Sequence, residues 1–244
     1  MARFQFIVFF FFVSVAVFAV NPSSSYRFAI VEPNSGFNSG LLNLTGPGDS
    51  IEAQRLVLSL FYRIYVGPGS ILRGPLQNAS RDAVTPKLYC DRQDCPYELL
   101  NPPEDCNVNS SLSFTLQICR VEDIIVEGFI KGSVVHFHRA KTVTLESSGE
   151  ISASGMGCRG GVGEGKLLGN GIGSGGGHGG KGGRVCYNNS CVEGGITYGD
   201  ADLPCELGSG SGDYSPDYSS AGGGIVGMKC QEFLMILEFY LTRD

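Results

Sequence analysis

The chain has 244 residues, 36 of them glycine, with no tryptophan and a formal net charge of −6. That length provides for one large or two small domains with a sizeable core. The mild acidic balance argues against a nucleic-acid partner, and a charged fraction of 17% argues against charge-driven disorder.

Residues 1–20 start with Arg3 and run almost unbroken apolar from Phe4 to Val20, with Val17 and Ala19 at cleavage positions. This reads as a signal peptide, although the run approaches the length of an uncleaved signal anchor. Either way the chain is expected to enter the secretory pathway and reach the extracellular space. No other membrane-spanning segment is expected. Sequons at Asn43, Asn78, Asn109 and Asn188 are candidates for N-glycosylation there. Nine cysteines also fit an oxidising compartment.

Residues 21–40 read as a linker, and 41–226 as a glycine-rich scaffold of short strands. Two Gly-Pro-Gly turns begin at Gly46 and Gly67, and Ile130 and Ile151 repeat the same offset of 21. Short β-branched runs lie between such turns. A period of this size predicts an all-β parallel solenoid whose coils stack on one another. The alternative is an antiparallel β-sandwich, whose strands also recur between turn residues. Ile51 to Tyr65 is the best helical candidate, but its composition is that of strands.

Residues 85–119 form a separate insertion with Cys90, Cys95, Cys106 and Cys119. Without Cys-x2-Cys pairs, a disulfide-tied segment is expected rather than a zinc knuckle, with three connectivities open. Cys158, Cys186, Cys191 and Cys205 complete eight disulfide candidates, leaving Cys230 unmatched. Close spacing makes Cys90–Cys95 and Cys186–Cys191 the easiest local loops.

Residues 155–183 are about half glycine, which implies either a flexible linker or tight turns against the β-scaffold. Gly175–Gly182 resembles a phosphate-binding loop but ends in glycine where Ser or Thr must hold Mg²⁺, so no nucleotide cofactor is expected. Gly177-His178-Gly179 occurs in some pectin-cleaving solenoid enzymes. A glycosidase needs two carboxylates at a set separation, and no paired acidic motif accompanies this His, so no catalytic residue is assigned. His136 and His138 share one strand face and read as a solvent-facing pair rather than metal ligands. Gly208 to Asp213 resembles one copy of a calcium β-roll repeat, too few for a site. Residues 227–244 have no glycine after Gly227, and their apolar run, broken by Glu238, reads as foreign to the scaffold.

The runs Asp82–Cys90 (DAVTPKLYC) and Cys95–Ser111 (CPYELLNPPEDCNVNSS) closely resemble a plant family of large glycine-rich membrane proteins. Gly132–Ala140 (GSVVHFHRA) and Ile151–Cys158 (ISASGMGC) continue the match, which extends from about Leu41 to Val226. The resemblance implies a long secreted solenoid ectodomain preceding a cysteine-rich segment, a transmembrane helix and a cytoplasmic part. It implies no catalytic residues. The chain departs from the family at both ends and looks like a fragment or truncated isoform, with no evident cap on its coils. The expected function is therefore a non-catalytic extracellular segment that is structural or contacts cell-wall polysaccharide or another extracellular protein. The alternatives are a polysaccharide-active enzyme on the same scaffold, or a truncated product without function.

Overall fold

The computed structural model describes residues 29–31, 40–75, 90, 97–101, 106, 114–169, 171–202, 205–214 and 220–229. The described elements are β-strands apart from one helix of four residues, α1 (Tyr97–Leu100), and the helical residue Cys90. Strand β1 (Ala29–Val31) lies within the stretch expected to be linker. Four triplets of strands follow. The first is β2 (Leu41–Leu44), β3 (Ser50–Glu52) and β4 (Leu56–Ser59). The second is β5 (Arg63–Val66), β6 (Ile71–Gly74) and β7 (Leu116–Cys119). The third is β8 (Asp123–Val126), β9 (Phe129–Gly132) and β10 (Val134–His138). The fourth begins with β11 (Thr142–Leu145) and β12 (Glu150–Ser152); after a hairpin of β13 (Val185–Tyr187) and β14 (Ser190–Val192) it closes with β15 (Ile225–Lys229).

Equivalent strands of successive triplets pair. The first sheet has the order β1-β4-β7-β10-β15, the second β11-β8-β5-β2 and the third β12-β9-β6-β3. Every pairing in the three is parallel, which rules out the antiparallel sandwich; among the described residues the β13–β14 hairpin and an isolated Leu167–Gly173 bridge are antiparallel. The segment read as a helical candidate is β3, β4 and β5.

Register keeps like residues in line, as a buried face with a two-residue period requires. Leu44, Val66 and Val126 stack in the second sheet, and Ile51, Leu72 and Ile130 in the third. Leu56, Leu116 and Val135 do so in the first. These side chains join one apolar core with Phe61, Ile118 and Phe137. The Gly-Pro-Gly turns also stack: the Gly48 N–H donates to the Gly69 carbonyl at 3.1 Å. Beneath them Gly128 has no room for a Cβ, which would sit 2.3 Å from the Gly67 carbonyl oxygen.

Between the first and second sheets the chain turns three times in the same way. Leu60, Arg120 and Arg139 take left-handed φ values of 62°, 52° and 55°. Phe61, Val121 and Ala140 then enter the core. The corner from the third sheet to the first is variable. It takes residues 53–55 in the first triplet and Ser133 alone in the third, but residues 75–115 and 153–224 in the second and fourth. The two long departures are the cysteine-rich insertion and the glycine tract. The insertion ends before the expected 119, since Leu116–Cys119 is a scaffold strand. At the other end β15 crosses the boundary expected at 227.

The described part of the glycine tract is neither a linker nor a set of turns against the scaffold. Apart from the β13–β14 hairpin, it is a packed body of segments outside any strand. Three donors of a single segment reach three different segments. Gly208 N–H bonds to Gly223 O at 2.8 Å, Gly210 N–H to Gly160 O at 3.0 Å, and Gly212 N–H to Ser174 O at 2.9 Å. A β-strand bonds two neighbours in one plane, whereas a three-residue-per-turn extended helix projects its amides in three directions. Backbones approach so closely that a Cβ on Gly195 would lie 1.8 Å from the Gly163 carbonyl oxygen.

This packing sets a contrast between two glycines. Gly195→Ala is expected to lower the unfolding free energy by roughly 1–3 kcal/mol, since the crowding atom is backbone and cannot move aside. Gly183→Ala, where an added Cβ meets nothing within 4 Å, is expected to be nearly silent. Denaturant midpoints of the disulfide-intact chains check both.

Candidate functional site

The outer faces of the three sheets differ in burial. On the second sheet alternate residues face solvent. The central strands of the first sheet are buried on both sides, since every residue of β4, β7 and β10 is enclosed. Period two sends Leu116, Ile118, Val135 and Phe137 inward and leaves Val57, Gln117, Val134, His136 and His138 on the outer face. That face is roofed by both long departures. Val57, Val134 and Ile225 pack with Phe114, Cys90 and Leu99 of the insertion and with Cys158 and Leu207 of the glycine body.

A disulfide between Cys90 and Cys158, 68 residues apart in sequence, ties one departure to the other. The expected Cys90–Cys95 loop is therefore overturned. Both departures leave the same corner, so Cys90 and Cys158 meet above one sheet, with their Cα atoms 5.6 Å apart. Cys106 bonds Cys119 at the end of β7, anchoring the insertion to the scaffold. Cys186 bonds Cys191 across the β13–β14 hairpin, and Cys205 is disulfide-bonded as well. Cys95 and Cys230 lie outside the described residues.

Beneath the roof is a polar row. Gln117 stands in register with His136, and His136 with Gly227. Gln117 is fully buried, His136 is 6% exposed and His138 2% exposed. The expectation of a solvent-facing His pair is thus overturned: the two rings do share a face, but the roof covers it. His136 stacks on Phe114 with centroids 4.8 Å apart and on His138 at 5.7 Å. Burial, then the positive neighbours His138 and Lys229, push the His136 imidazole down to about 4. Neither amide atom of Gln117 nor Nδ1 of His136 has a hydrogen-bond partner. Such orphaned groups are costly in a core and mark a place where polar chemistry is enclosed. The row was legible in principle, since Gln117 breaks the apolar run Leu116 to Cys119 at an outward position.

A second buried polar chain lies in the glycine body. Gly163 N–H donates to Ser209 Oγ at 2.9 Å, Ser209 Oγ donates to Tyr198 Oη at 2.7 Å, and Tyr198 Oη donates to the Leu207 carbonyl. Burial raises the Tyr198 phenol. His178 sits edge-on to Tyr198 at 4.8 Å, so the Gly-His-Gly motif serves packing around this phenol. Neither polar cluster contains an Asp–Glu pair. No set of three metal-ligating side chains occurs among the described residues.

The exposed counterpart is the outer face of the second sheet. Asn43, Tyr65, Ile125 and Thr144 form one outward row, and Leu41, Arg63, Asp123 and Thr142 the other. Tyr65 donates to Glu127 at 2.8 Å. Asp123 accepts from Thr142 at 2.6 Å and from Arg63 at 3.2 Å; these bonds hold its carboxyl below the usual range. Of the sequons, Asn43 is exposed on this face and Asn188 on the β13–β14 loop, where Asn188 and Asn189 take left-handed φ. Asn78 and Asn109 lie outside the described residues.

Two measurements bear on the roof. His136 titrates at about 4 in the fold against 6.5 when free, so the folded state binds fewer protons between those values. Stability is then full above pH 6.5 and declines as pH falls toward 4, by roughly 3 kcal/mol in the limit. Urea midpoints at pH 7 and 4.5 should differ accordingly, and His136→Phe should shrink the difference. Separately, Cys90→Ser with Cys158→Ser opens the longest described bridge and is expected to cost roughly 4 kcal/mol on a chain-entropy reckoning. Cys186→Ser with Cys191→Ser should cost visibly less in the same assay. No family model, curated protein or solved structure matches this chain.

Proposed function

We propose that this chain is a non-catalytic extracellular β-solenoid segment of a cell-surface glycine-rich protein, serving as a rigid structural piece that contacts wall polysaccharide. The observation that carries the reading is the bracing of the stacked triplets. Two long departures are bonded to each other and, through Cys106–Cys119, to the scaffold. Disulfides of this kind are typical of oxidising, extracellular compartments. The signal-peptide pattern of residues 1–20 supports secretion. The resemblance of Asp82–Cys90 and Cys95–Ser111 to plant glycine-rich membrane proteins supports a wall-facing setting. Among the described residues no helix is long and apolar enough to cross a membrane.

The recognition surface in this reading is the outer face of the second sheet. Tyr65 and Ile125 offer apolar area there, and Arg63, Asp123 and Glu127 offer fixed hydrogen-bonding groups. A saccharide suits such a surface, since an aromatic ring packs on the apolar C–H face of a sugar while polar groups beside it reach the hydroxyls at the sugar's edge. The charged pairs of this face are exposed and add little to stability, which leaves recognition as their use.

The rival reading, a polysaccharide-cleaving enzyme on the same scaffold, is separated by one assay. The secreted protein, incubated with pectins and other wall glycans, is expected to be retained without producing new reducing ends, and Tyr65→Ala to weaken retention. Reproducible new reducing ends would overturn the non-catalytic reading.

A further inference from the structure

Of the two sequons among the described residues, one lies in the ladder of a sheet. Asn43 and Thr45 are exposed on either side of the buried Leu44, so the acceptor and the hydroxyl-bearing residue of that sequon are both accessible. Asn43 is the register partner of Tyr65, and neighbouring strands of a sheet lie roughly 4.8 Å apart. The two side chains therefore stand next to each other in the outward row of the second sheet. Asn188, by contrast, sits in the turn between β13 and β14, where no residue stands in register with it.

Tyr65 is held in place as a platform. Its Oη donates to Glu127 Oε2 at 2.8 Å, which tethers the tip of the ring. The ring leans over Gly67, where an added Cβ would come within 3.0 Å of Tyr65 Cε1. Gly67 N–H in turn donates to Leu44 O at 2.7 Å, so the lean carries the ring alongside the sequon. An aromatic ring packs on the apolar C–H face of a sugar, and a ring already ordered loses little freedom on doing so.

We propose that an N-linked glycan on Asn43 seats its first sugar on the ring of Tyr65 and thereby occupies part of the face that contacts wall polysaccharide. The proposal rests on the reading of that face as a saccharide surface and on entry into the secretory pathway. The chain's own sugar and an outside one then compete for the same ring. Ile125 and Thr144, farther along the row, stay open to the outside ligand. Occupancy of Asn43 sets how strongly the face binds, and a glycan on Asn188 has no part in it.

Glycopeptide mass spectrometry and NMR of the secreted protein, with its sugars carbon-13 labelled, test the seat. Asn43 is expected to be occupied, and the protons of its first sugar to show an upfield ring-current shift that Tyr65→Ala removes. If Tyr65→Ala is not secreted, Tyr65→Leu replaces it, keeping apolar bulk without a ring. An unoccupied Asn43, or identical sugar shifts with and without the ring, overturns the proposal. Retention on wall glycans tests the competition. Asn43→Gln, or Thr45→Ala should that variant fail to be secreted, is expected to bind at least threefold more tightly than the wild type, and Asn188→Gln equally to it. Equal, measurable retention of Asn43→Gln and wild type sinks the competition. If no form is retained while the ring-current shift is present, the seat stands and the wall-contact reading of the face falls instead.

Discussion

A triplet of short strands cannot satisfy its own backbone. Each strand presents N–H and C=O groups along both edges, and no two strands of one triplet pair with each other. Only the next triplet can accept them, and it does so in register. Leu44 then lies beside Val66 and Val66 beside Val126, and the same bonds that satisfy the backbone close the core. Burial and hydrogen bonding are one event in this architecture. That coupling explains why glycine is forced at tight points such as Gly128, where a displaced turn would break both.

The glycine body meets the same demand without side chains. Its segments donate in three directions, so they pack as a bundle rather than as a sheet, and close backbone approach replaces apolar packing. Its interior side-chain chemistry includes a short chain in which Tyr198 and Ser209 bridge Gly163 to Leu207, while the Lys181–Glu193 ion pair lies on its surface. A body with so few apolar side chains has little hydrophobic stabilisation of its own. Its attachment through Cys158 to Cys90 of the insertion, and its burial of Leu207 against Val57 and Val134 of the scaffold, compensate from outside it.

The scaffold was legible because its signals are local. The Gly-Pro-Gly turns and the alternation in β10 report on neighbours a few residues away, so the offset of 21 between turns pointed to parallel stacking. The roof was not legible, because it depends on where the chain departs. The strand holding His136 and His138 alternates whether its outer face is wet or covered, and only the Cys90–Cys158 meeting above it decides the matter. Short spacing made Cys90–Cys95 look easiest, but loop length does not record which corner both segments leave from. The glycine tract failed for a further reason: composition announces unusual backbone geometry without revealing which backbone lies alongside.

The large length variation among the triplets falls at one corner, between the third sheet and the first, whereas the corner from the second sheet to the third varies only between two and five residues. A single serine spans it in one triplet and residues 153–224 in another, while the flanking strands keep register to within the same ladder. That corner acts as a port. What is plugged in there differs from triplet to triplet without disturbing the core, because the ladder on either side is indifferent to the detour. For protein engineering the corner at 53–55 is the same port left vacant. It is a position from which a guest module can be displayed at a fixed height on a repeating scaffold, over the one face this molecule already uses to seat its attachments.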